Sequence, residues 1–334
     1  MTVRVAINGF GRIGRLVLRA YAEANRKDIE VVAINNRSEL AGAAHLFKYD
    51  SVHGRFPGEV EVGDNFIDIG RGRIAYTRAE DPAQLSWGDY GVDIVLECTG
   101  KFNSREKAQV HIDRGAKKVL CSAPAKGADV AVVYGVNHEQ LKAEHTIVSN
   151  ASCTTNCLAP MAMVLNELCG IERGYMTTIH AYTTDQRLLD NSHKDPRRAR
   201  AAAMSLIPTT TGAAKTVGEV LPELKGKLDG TSIRVPVPNV SMVDLVFVPG
   251  RDVAIEEIND AMRKAAEGKL KGVLAACDEP LVSTDFNHHP ASCIFDLTQT
   301  QIVDKSLVRV AGWYDNEWGF SHRMNDTAAF WGTR

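Results

Sequence analysis

The segment SNASCTTNCLAP, residues 149–160, holds two cysteines four positions apart among hydroxyl and amide side chains. Such spacing can belong to a metal site, a redox pair, a buried helix face or a nucleophile. A zinc site needs further Cys or His at regular spacing, which the neighbouring sequence lacks. A thioredoxin-like pair has two intervening residues, whereas three separate these cysteines. We therefore expect no metal here, and a nucleophile or a packing residue at each cysteine.

Cys153 is the better candidate for a nucleophile. If this segment is helical, Cys153 and Cys157 lie one turn apart, and Asn150, Ser152 or Thr154 can cap the helix. A cysteine at a helix N-terminus gains thiolate character from the free N–H groups and the macrodipole. The sequence therefore predicts Cys153 as the nucleophile and Cys157 as a packing residue.

A glycine-rich turn, NGFGRIG, follows the apolar run at residues 3–9. Gly9, Gly11 and Gly14 have the G-x-G-x-x-G spacing, which by itself also fits a purely structural turn. Here an apolar strand precedes the turn and an amphipathic helix follows it. In that context Gly9 permits the tight turn, Gly11 admits a pyrophosphate and Gly14 lets the helix approach the strand. We predict a dinucleotide site.

A base for the nucleophile is available in MTTIHAYTTDQ, residues 176–186. A single histidine on a strand is often structural, but together with Cys153 and a dinucleotide site His180 becomes a candidate general base. A thiolate adds to an aldehyde, hydride leaves to a nicotinamide, and a thioester remains on the cysteine. If phosphate takes the acyl group, anion-binding groups are needed. Hydroxyl, backbone N–H and arginine groups of this kind are available at residues 209–215 and 232–236 and at Thr183.

The second strand ends in Asn36 and Arg37. An NAD site usually has Asp or Glu at this position, where the carboxylate binds ribose hydroxyls and repels a 2′-phosphate. Asn36 does not exclude that phosphate, and Arg37 could pair with it. The sequence predicts use of NADP, preferentially or alongside NAD. The alternative is that Asn36 caps the strand and Arg37 is merely solvated.

Composition excludes several functional classes. The chain has 334 residues, 44% hydrophobic and 24% charged, with a formal net charge of −2. This balance gives no case for nucleic-acid or membrane binding, and no apolar run is long enough to span a bilayer. The first residues lack a signal-peptide pattern. Seven cysteines, an odd number, favour reduced thiols in a cytoplasm over a disulfide framework. The basic segment at 193–203 is interpreted as solvated or interfacial rather than as a polyanion site.

Alternating strand and helix patterns over residues 1–150 predict an α/β domain with a doubly wound parallel sheet. Helices are expected at 12–25 and 104–115. Longer strand-like runs then predict an α+β catalytic domain at 151–315 with a mostly antiparallel sheet. The runs are 174–184, 231–249 and 292–303, and a helix is expected at 254–267.

Several long segments are similar to one enzyme family. They are the quoted segments together with DPRRARAAAMSLIPTTTGAAK, LPELKGKLDGTSIRVPVPNVSMVDL and WYDNEWGFSHRM. Over nearly its full length the chain resembles phosphorylating glyceraldehyde-3-phosphate dehydrogenase. The resemblance implies oxidation of glyceraldehyde 3-phosphate to 1,3-bisphosphoglycerate with NAD or NADP, by a homotetramer. It also implies a C-terminal helix, about 316–334, that returns to the dinucleotide-binding domain.

The resemblance assigns roles to residues. Cys153 is implied as the nucleophile and His180 as the base. Substrate and inorganic phosphate contacts are implied at Ser152, Thr154, Thr183, Arg198, Thr211, Gly212 and Arg234. Cofactor contacts are implied at Arg12, Ile13, Asn36, Ser122 and Asn316. The loop 183–205 is expected near a neighbouring subunit's cofactor.

Two departures point toward NADP. NAD-type members of the family carry Asp where this chain has Asn36, and Leu-Pro where it has Asn191 and Ser192. A small residue such as Ser192 leaves room for a 2′-phosphate. The rival interpretations are erythrose-4-phosphate dehydrogenase, a semialdehyde dehydrogenase of related fold, and a binding protein on an inactive scaffold. The last should have lost Cys153 or His180.

Overall fold

A computed structural model describes residues 2–334, which form two compact units. The first contains the chain up to Tyr134, His138–Ser152 and Ser321–Arg334. The second contains Gly135–Asn137 and Cys153–Phe320. One unit holds a mostly parallel sheet with helices and the other a mostly antiparallel sheet with helices, which confirms the predicted α/β fold class.

The first unit contains the early strands and helices of the chain. They are β1 Val3–Asn8, α1 Arg12–Glu23, β2 Ile29–Asn35, α2 Leu40–Lys48, β3 Tyr49–Asp50, β4 Gly54–Arg55, β5 Glu61–Val62, β6 Phe66–Asp68, β7 Arg73–Thr77, β8 Ile94–Glu97, α3 Arg105–Asp113, β9 Lys118–Cys121, β10 Val130–Ala131 and β11 Ile147–Ser149.

The later elements belong to the second unit, apart from most of the last helix. They are α4 Cys153–Cys169, β12 Ile171–Ala181, β13 Ile207–Thr209, α5 Ala213–Val220, β14 Leu228–Val235, β15 Ser241–Pro249, α6 Ile255–Glu267, β16 Leu274–Cys277, β17 Cys293–Asp296, β18 Gln301–Val303, β19 Leu307–Tyr314 and α7 Trp318–Gly332.

The sheet of the first unit has the strand order β10-β11-β9-β8-β1-β2-β7-β6-β5. Strands β1, β2, β8 and β9 pair in parallel, so their carboxyl ends share one edge. Their apolar runs are buried, as β1 shows with Val5, Ala6 and Ile7 fully inaccessible. This burial is what parallel strands covered on both faces require. The edge formed by these strand ends is the usual ligand position in such a fold.

Strand β7 extends this edge beyond β2. It pairs with β2 in parallel, and Thr77 lies opposite Asn35. Strands β6 and β5 then add antiparallel pairs at the border of the sheet. The residues that follow β7 therefore lie beside those that follow β2, although about 40 residues separate them in sequence.

The sheet of the second unit has the order β13-β14-β12-β15-β19-β17-β16. The strand-like run predicted at 231–249 is two strands rather than one. Strand β14 pairs with β12 in parallel, and β15 pairs with the other side of β12 in antiparallel fashion. Pro236 and Pro238 interrupt the run, because proline cannot donate a ladder hydrogen bond. The run 292–303 likewise divides into β17 and β18.

Helix α4 begins at Cys153 and has 17 residues, of which most are buried. The residue two positions before it, Ala151, is buried with a φ of +56°. This left-handed backbone is uncommon for a residue with a Cβ. It lies in the turn between β11 and α4, just before the cysteine at the helix start. No helix in the described part of the chain combines the length and apolarity needed to cross a membrane.

The end of the chain packs within the first unit. Asn325 on α7 donates a hydrogen bond to the carbonyl of Val17, and Thr327 donates to Oδ1 of Asn150. A Cβ on Gly332 would lie 2.3 Å from Cγ1 of Val3, so only glycine permits this close approach. The last helix thus contributes buried polar contacts to α1 and to the residue after β11.

Candidate active site

Cys153 and His180 face each other in the second unit. Cys153 is the first residue of α4, and His180 is the penultimate residue of β12. Sγ of Cys153 lies 3.5 Å from Nε2 of His180. Nδ1 of His180 is 2.7 Å from the carbonyl of Ala181, which can only accept, so Nδ1 carries the proton. In the neutral ring Nε2 is then an acceptor directed at the sulfur.

Burial controls the protonation of this pair. Burial raises the pKa of the Cys153 thiol, whereas Arg234 and the N–H groups at the start of α4 oppose that rise. Burial, with the charge of Arg234, lowers the pKa of His180 to about 3. Because both shifts disfavour charge, these surroundings favour a thiol hydrogen-bonded to a neutral imidazole over an ion pair of thiolate and imidazolium. His180 is buried and Cys153 is partly buried, and the strand register that brings Arg234 beside His180 is not evident from the sequence.

Cys157 has packing contacts instead. It is fully buried, and its Sγ lies 3.7 Å from the carbonyl of Gly312 on β19. A Cβ on Gly312 would come within 2.8 Å of the Cys293 sulfur and 3.4 Å of the Cys157 sulfur. Burial and the neighbouring Cys293 raise the pKa of Cys157 well above its usual value. These contacts fit the predicted packing residue.

Arg234 provides a positive charge beside His180. The two residues are register partners on β14 and β12. One terminal nitrogen of Arg234 donates to the carbonyl of Ala181 and to Oγ1 of Thr183, each at 3.1 Å. Its Nε is buried and finds no hydrogen-bond partner within residues 2–334. A buried guanidinium nitrogen without an acceptor fits an anionic ligand, because leaving it unpaired is costly.

Arg198 is a second anchored arginine, and its charge acts on both Arg234 and His180. It pairs with Asp185 at 2.7 Å, and its Nε donates to Oγ1 of Thr209 at 3.0 Å. Thr211 and Gly212 come directly before α5, where Oγ1 of Thr211 accepts from the N–H of Ala213. The structure thus brings Arg198 to the segment that carries Thr211 and Gly212.

Two of the predicted substrate residues, Ser152 and Thr154, are the sequence neighbours of Cys153. The hydroxyl of Thr154 is buried and bonded to the hydroxyl of Tyr314 at 2.9 Å, and Thr178 bonds the same hydroxyl at 2.8 Å. The Thr154 hydroxyl therefore bonds within the protein, and its hydrogen bond to Cys153 is one of the contacts that oppose the rise in the pKa of that thiol. Ser152 directly precedes the nucleophile and belongs to the first unit.

Tyr314 was not found by sequence reasoning. Its ring meets the ring of His180 edge-on, with centroids 5.9 Å apart. Burial raises the pKa of Tyr314 well above its usual value, so its hydroxyl stays protonated and can donate. A tyrosine within a long apolar strand gives no signal of this contact before the strand register is known.

Asn316 is oriented by a serine. The hydroxyl of Ser241 accepts from the N–H of Ala181 at 3.1 Å and lies 2.8 Å from Oδ1 of Asn316, to which it donates. Because Oδ1 is occupied, Asn316 can offer its Nδ2 group to a ligand. Asp315 holds the surrounding turn by accepting from the N–H groups of Glu317 and Trp318.

The first unit contains a cavity of about 220 Å³ at the carboxyl edge of its parallel strands. Its lining is Asn8, Gly9, Gly11, Asn35, Asn36, Arg37, Ala79, Glu80, Pro82, Cys98, Thr99, Lys101 and Phe102. Of the predicted cofactor residues, Gly9, Gly11, Asn36 and Arg37 are in this lining.

The glycines fit a dinucleotide. A Cβ on Gly11 would meet nothing within 4 Å, so open space lies against its backbone where a pyrophosphate would approach. Gly9 has a φ of +95°, and a Cβ there would clash with Thr99. A Cβ on Gly14 would lie 2.0 Å from the carbonyl oxygen of Gly9. Gly14 therefore allows α1 to approach the strand, as predicted for the third glycine of the pattern.

Other predicted cofactor residues lie outside the lining of this cavity. Arg12 pairs with Asp50 at 2.7 Å, and Ile13 is the next residue of α1. Ser122 directly follows β9, and its N–H donates to the carbonyl of Glu97, the last residue of β8. Ser192 is exposed in the loop after β12, within the second unit.

A buried polar cluster supports the cavity wall and was missed from sequence. The Glu97 carboxylate accepts from Asn8 at 2.6 Å, from the N–H of Thr99 at 2.7 Å and from the Thr99 hydroxyl. It also contacts Nε2 of His111 at 3.0 Å, while the indole of Trp87 donates to Nδ1. Because indole is only a donor, this bond fixes the His111 tautomer with Nε2 protonated.

Comparisons with known proteins agree with this architecture. The family profile described as "Glyceraldehyde 3-phosphate dehydrogenase, NAD binding domain" matches residues 3–105, and "Glyceraldehyde 3-phosphate dehydrogenase, C-terminal domain" matches residues 152–316.

Full-length relatives carry the same name. The chain is 64% identical to "Glyceraldehyde-3-phosphate dehydrogenase" of Xanthobacter flavus over 99% of both chains. It is 60% identical to that of Cereibacter sphaeroides, again over 99% of both, and 56% identical to that of Geobacillus stearothermophilus over 99% of this chain and 98% of the relative. These matches confirm the resemblance found in the sequence. The chain belongs to the glyceraldehyde 3-phosphate dehydrogenase family.

Proposed function

We propose that this protein catalyses the phosphorylating oxidation of glyceraldehyde 3-phosphate to 1,3-bisphosphoglycerate with NAD or NADP. The observation that carries the proposal is the 3.5 Å approach of the Cys153 sulfur to the unprotonated Nε2 of His180. It occurs in a chain that belongs to this family over its full length. The rival substrate, erythrose 4-phosphate, is not favoured, because the relatives named above are all called glyceraldehyde-3-phosphate dehydrogenase.

The first step joins Cys153 to the aldehyde carbon. The thiol proton passes to Nε2 of His180 as the sulfur–carbon bond forms, and His180 then gives that proton to the carbonyl oxygen, which yields a hemithioacetal. His180 next removes the hydroxyl proton while hydride leaves the carbon. The bound nicotinamide cofactor supplies the hydride acceptor. What remains on Cys153 is a thioester.

Phosphate then cleaves the thioester. A phosphate oxygen attacks the acyl carbon, the carbon–sulfur bond breaks, and the proton held by His180 returns to the sulfur. Arg234, the register partner of His180, and Thr183, which accepts a hydrogen bond from Arg234, can hold an anion. Arg198, Thr211 and Gly212 form a second group with suitable donors, and Ser152 and Thr154 flank the nucleophile. We assign substrate and inorganic phosphate binding to these residues.

We further propose that the cavity of the first unit holds the adenosine part of NAD or NADP. Gly9, Gly11, Asn36 and Arg37 line it, and Arg12, Ile13, Gly14 and Ser122 support it, while Asn316 would receive the nicotinamide carboxamide. Acceptance of NADP is supported by Asn36, whose Nδ2 donates to the hydroxyl of Tyr76 and which carries no charge. The exposed Arg37 can pair with a 2′-phosphate, and Ser192 of a neighbouring subunit leaves room for it.

The remaining parts of the proposal come from the family resemblance for the oligomer and the last helix, and from composition and sequence patterns for the rest. We propose a homotetramer in the cytoplasm, with neither nucleic acid nor membrane as a partner. Residues 1–150 with the helix at about 316–334 form the dinucleotide-binding domain, and residues 151–315 form the catalytic domain.

The direct test is a steady-state assay. We expect reduction of NAD or NADP to depend on both glyceraldehyde 3-phosphate and inorganic phosphate, and kcat/KM for erythrose 4-phosphate to be far lower. For NADP, we expect kcat/KM within about tenfold of that for NAD, which is a difference of about 1.4 kcal/mol. Absence of turnover with either cofactor would refute the proposed reaction.

A further inference from the structure

The cofactor cavity contains a carboxylate that does not come from the expected position. At the end of β2, where dinucleotide sites usually carry an acidic residue, this chain has the neutral Asn36. The parallel register of β2 and β7 brings Thr77 opposite Asn35, so the segment after β7 follows the same edge. Glu80 lies in that segment and lines the cavity together with Asn36 and Arg37.

The backbone around Glu80 is fixed on both sides. Oδ1 of Asn35 accepts from the N–H of Ala79 at 2.9 Å, and Nδ2 of the same side chain donates to the Ala79 carbonyl at 3.2 Å. On the other side, Asp81 accepts from the N–H of Ala83 and begins a short 3-10 helix. The hydrogen bonds of Ala79 and Asp81 therefore fix the backbone of Glu80 at the cavity.

The charged groups of this region divide into paired and unengaged ones. Arg78 forms an ion pair with Glu39 at 2.7 Å. Across residues 2–334, by contrast, the side chains of Glu80, Arg37 and Lys101 form neither a hydrogen bond nor an ion pair. The cavity thus offers one carboxylate and two cations to a ligand.

We infer that Glu80 takes the role of the missing acidic residue: its carboxylate accepts hydrogen bonds from the adenosine ribose hydroxyls and repels a 2′-phosphate. The inference rests on the proposed cofactor site. An ionised carboxylate is an acceptor only, which matches a hydroxyl, whereas a phosphate monoester carries nearly two negative charges. Arg37 acts in the opposite direction. The choice between NAD and NADP is therefore set by the opposite charges of Glu80 and Arg37, and the uncharged Asn36 adds no charge to this balance.

Binding of nucleotides that lack the nicotinamide tests this directly. Isothermal titration calorimetry of the full chain, with ADP-ribose and separately with 2′-phospho-ADP-ribose, gives one dissociation constant for each ligand. We expect Glu80→Gln to weaken ADP-ribose about tenfold and to tighten the 2′-phosphorylated ligand by a similar factor, because a charge-assisted hydrogen bond and a like-charge repulsion are both lost. Glu80→Ala should change the ratio of the two dissociation constants in the same direction. Arg37→Ala should change that ratio in the opposite direction.

Glu61→Gln is the matched control, since Glu61 is an exposed carboxylate on β5 outside the cavity lining. Its ratio should stay within about twofold of wild type, as expected for removal of a remote, screened charge. An unchanged ratio in Glu80→Gln and Glu80→Ala, or an equal change in Glu61→Gln, would overturn the inference. Failure of the proposed reaction would instead appear as absent turnover in the wild-type enzyme, with the binding ratio still measurable.

Discussion

The Cys153–His180 pair and the cofactor cavity are built in different ways. The pair joins the start of one helix to the end of one strand, and each member bears a side chain whose chemistry is evident from its type. The cavity is assembled from strand ends and following segments that lie far apart in sequence, and most of its side chains are small or amide-bearing. Reactive side chains can thus be selected by residue type, whereas the lining of a cavity depends on which strands are neighbours.

The sharpest test of the pair is the comparison of its two cysteines. Cys153→Ser should reduce turnover by about 10⁴-fold or more, because the Cys153 thiol lies against His180 and loss of a catalytic nucleophile has effects of this size. Cys157→Ser should keep substantial activity. Similar losses in both variants, measured as kcat at saturating substrates, would mean that a single nucleophile does not account for the chemistry.

Replacement of the base should have the next largest effect. His180→Asn should lower kcat by roughly 10²–10⁴, the usual contribution of general acid–base catalysis. Thermal unfolding of the same variant separates a folding defect from a catalytic one. A variant that folds and retains full turnover would remove His180 from the mechanism and leave the short distance to Cys153 as packing only.

Arg234 tests whether the second unit holds an anion beside the pair. Arg234→Leu should lower kcat/KM by about 10²-fold, mainly through a raised KM for phosphate or substrate, because a buried charged donor is lost. Arg173→Leu on β12 is the control, since the Arg173 side chain is exposed and forms an ion pair with the exposed Glu172. If the two arginine variants behave alike, Arg234 has no specific role.

The buried cluster behind the cavity tests how far the first unit depends on polar support. Trp87→Phe removes the donor that fixes the His111 tautomer and through it the Glu97 carboxylate. We expect about a fivefold weaker affinity for ADP-ribose, since one buried hydrogen bond contributes about 1 kcal/mol. The kcat at saturating cofactor should not change. A fall in kcat without a change in affinity would contradict a role confined to the cavity.

The smallest expected effect concerns the Arg12–Asp50 pair. Burial raises the pKa of Asp50, but the N–H groups of His53 and Val52 and the charge of Arg12 outweigh it, so its pKa is lowered. The stabilisation is therefore complete above the pH where the unfolded carboxyl titrates, about pH 4, and is lost as pH falls further.

Asp50→Asn should lower the thermal midpoint near neutral pH by a few degrees, as expected for loss of about 1 kcal/mol. The difference from wild type should shrink as pH falls below about 4. Asp64→Asn, an exposed carboxyl in the same unit, serves as the control. A difference that stays constant down to pH 3 would show that the pair acts through packing rather than through charge.

Local patterns predicted much of the secondary structure. The helix expected at 12–25 is α1, Arg12–Glu23, and the helix expected at 254–267 is α6, Ile255–Glu267. Both have apolar residues at helical spacing, a signal contained within the segment itself. The strand run 231–249 was predicted wrongly as one unit, because its two halves share β-branched patterning and differ only in their pairing partners.

The sequence by itself determined the family, the fold class, the glycine turn at residues 9–14 and the two candidate reactive side chains, because each is expressed in residue type and short spacing. Only the tertiary structure decided the tautomer of His180, the unpaired Nε of Arg234 and the presence of Glu80 in the cavity. These features depend on burial and on the register between distant strands. A hydrogen-bond partner or a neighbouring charge is set by that register, and no local pattern encodes it.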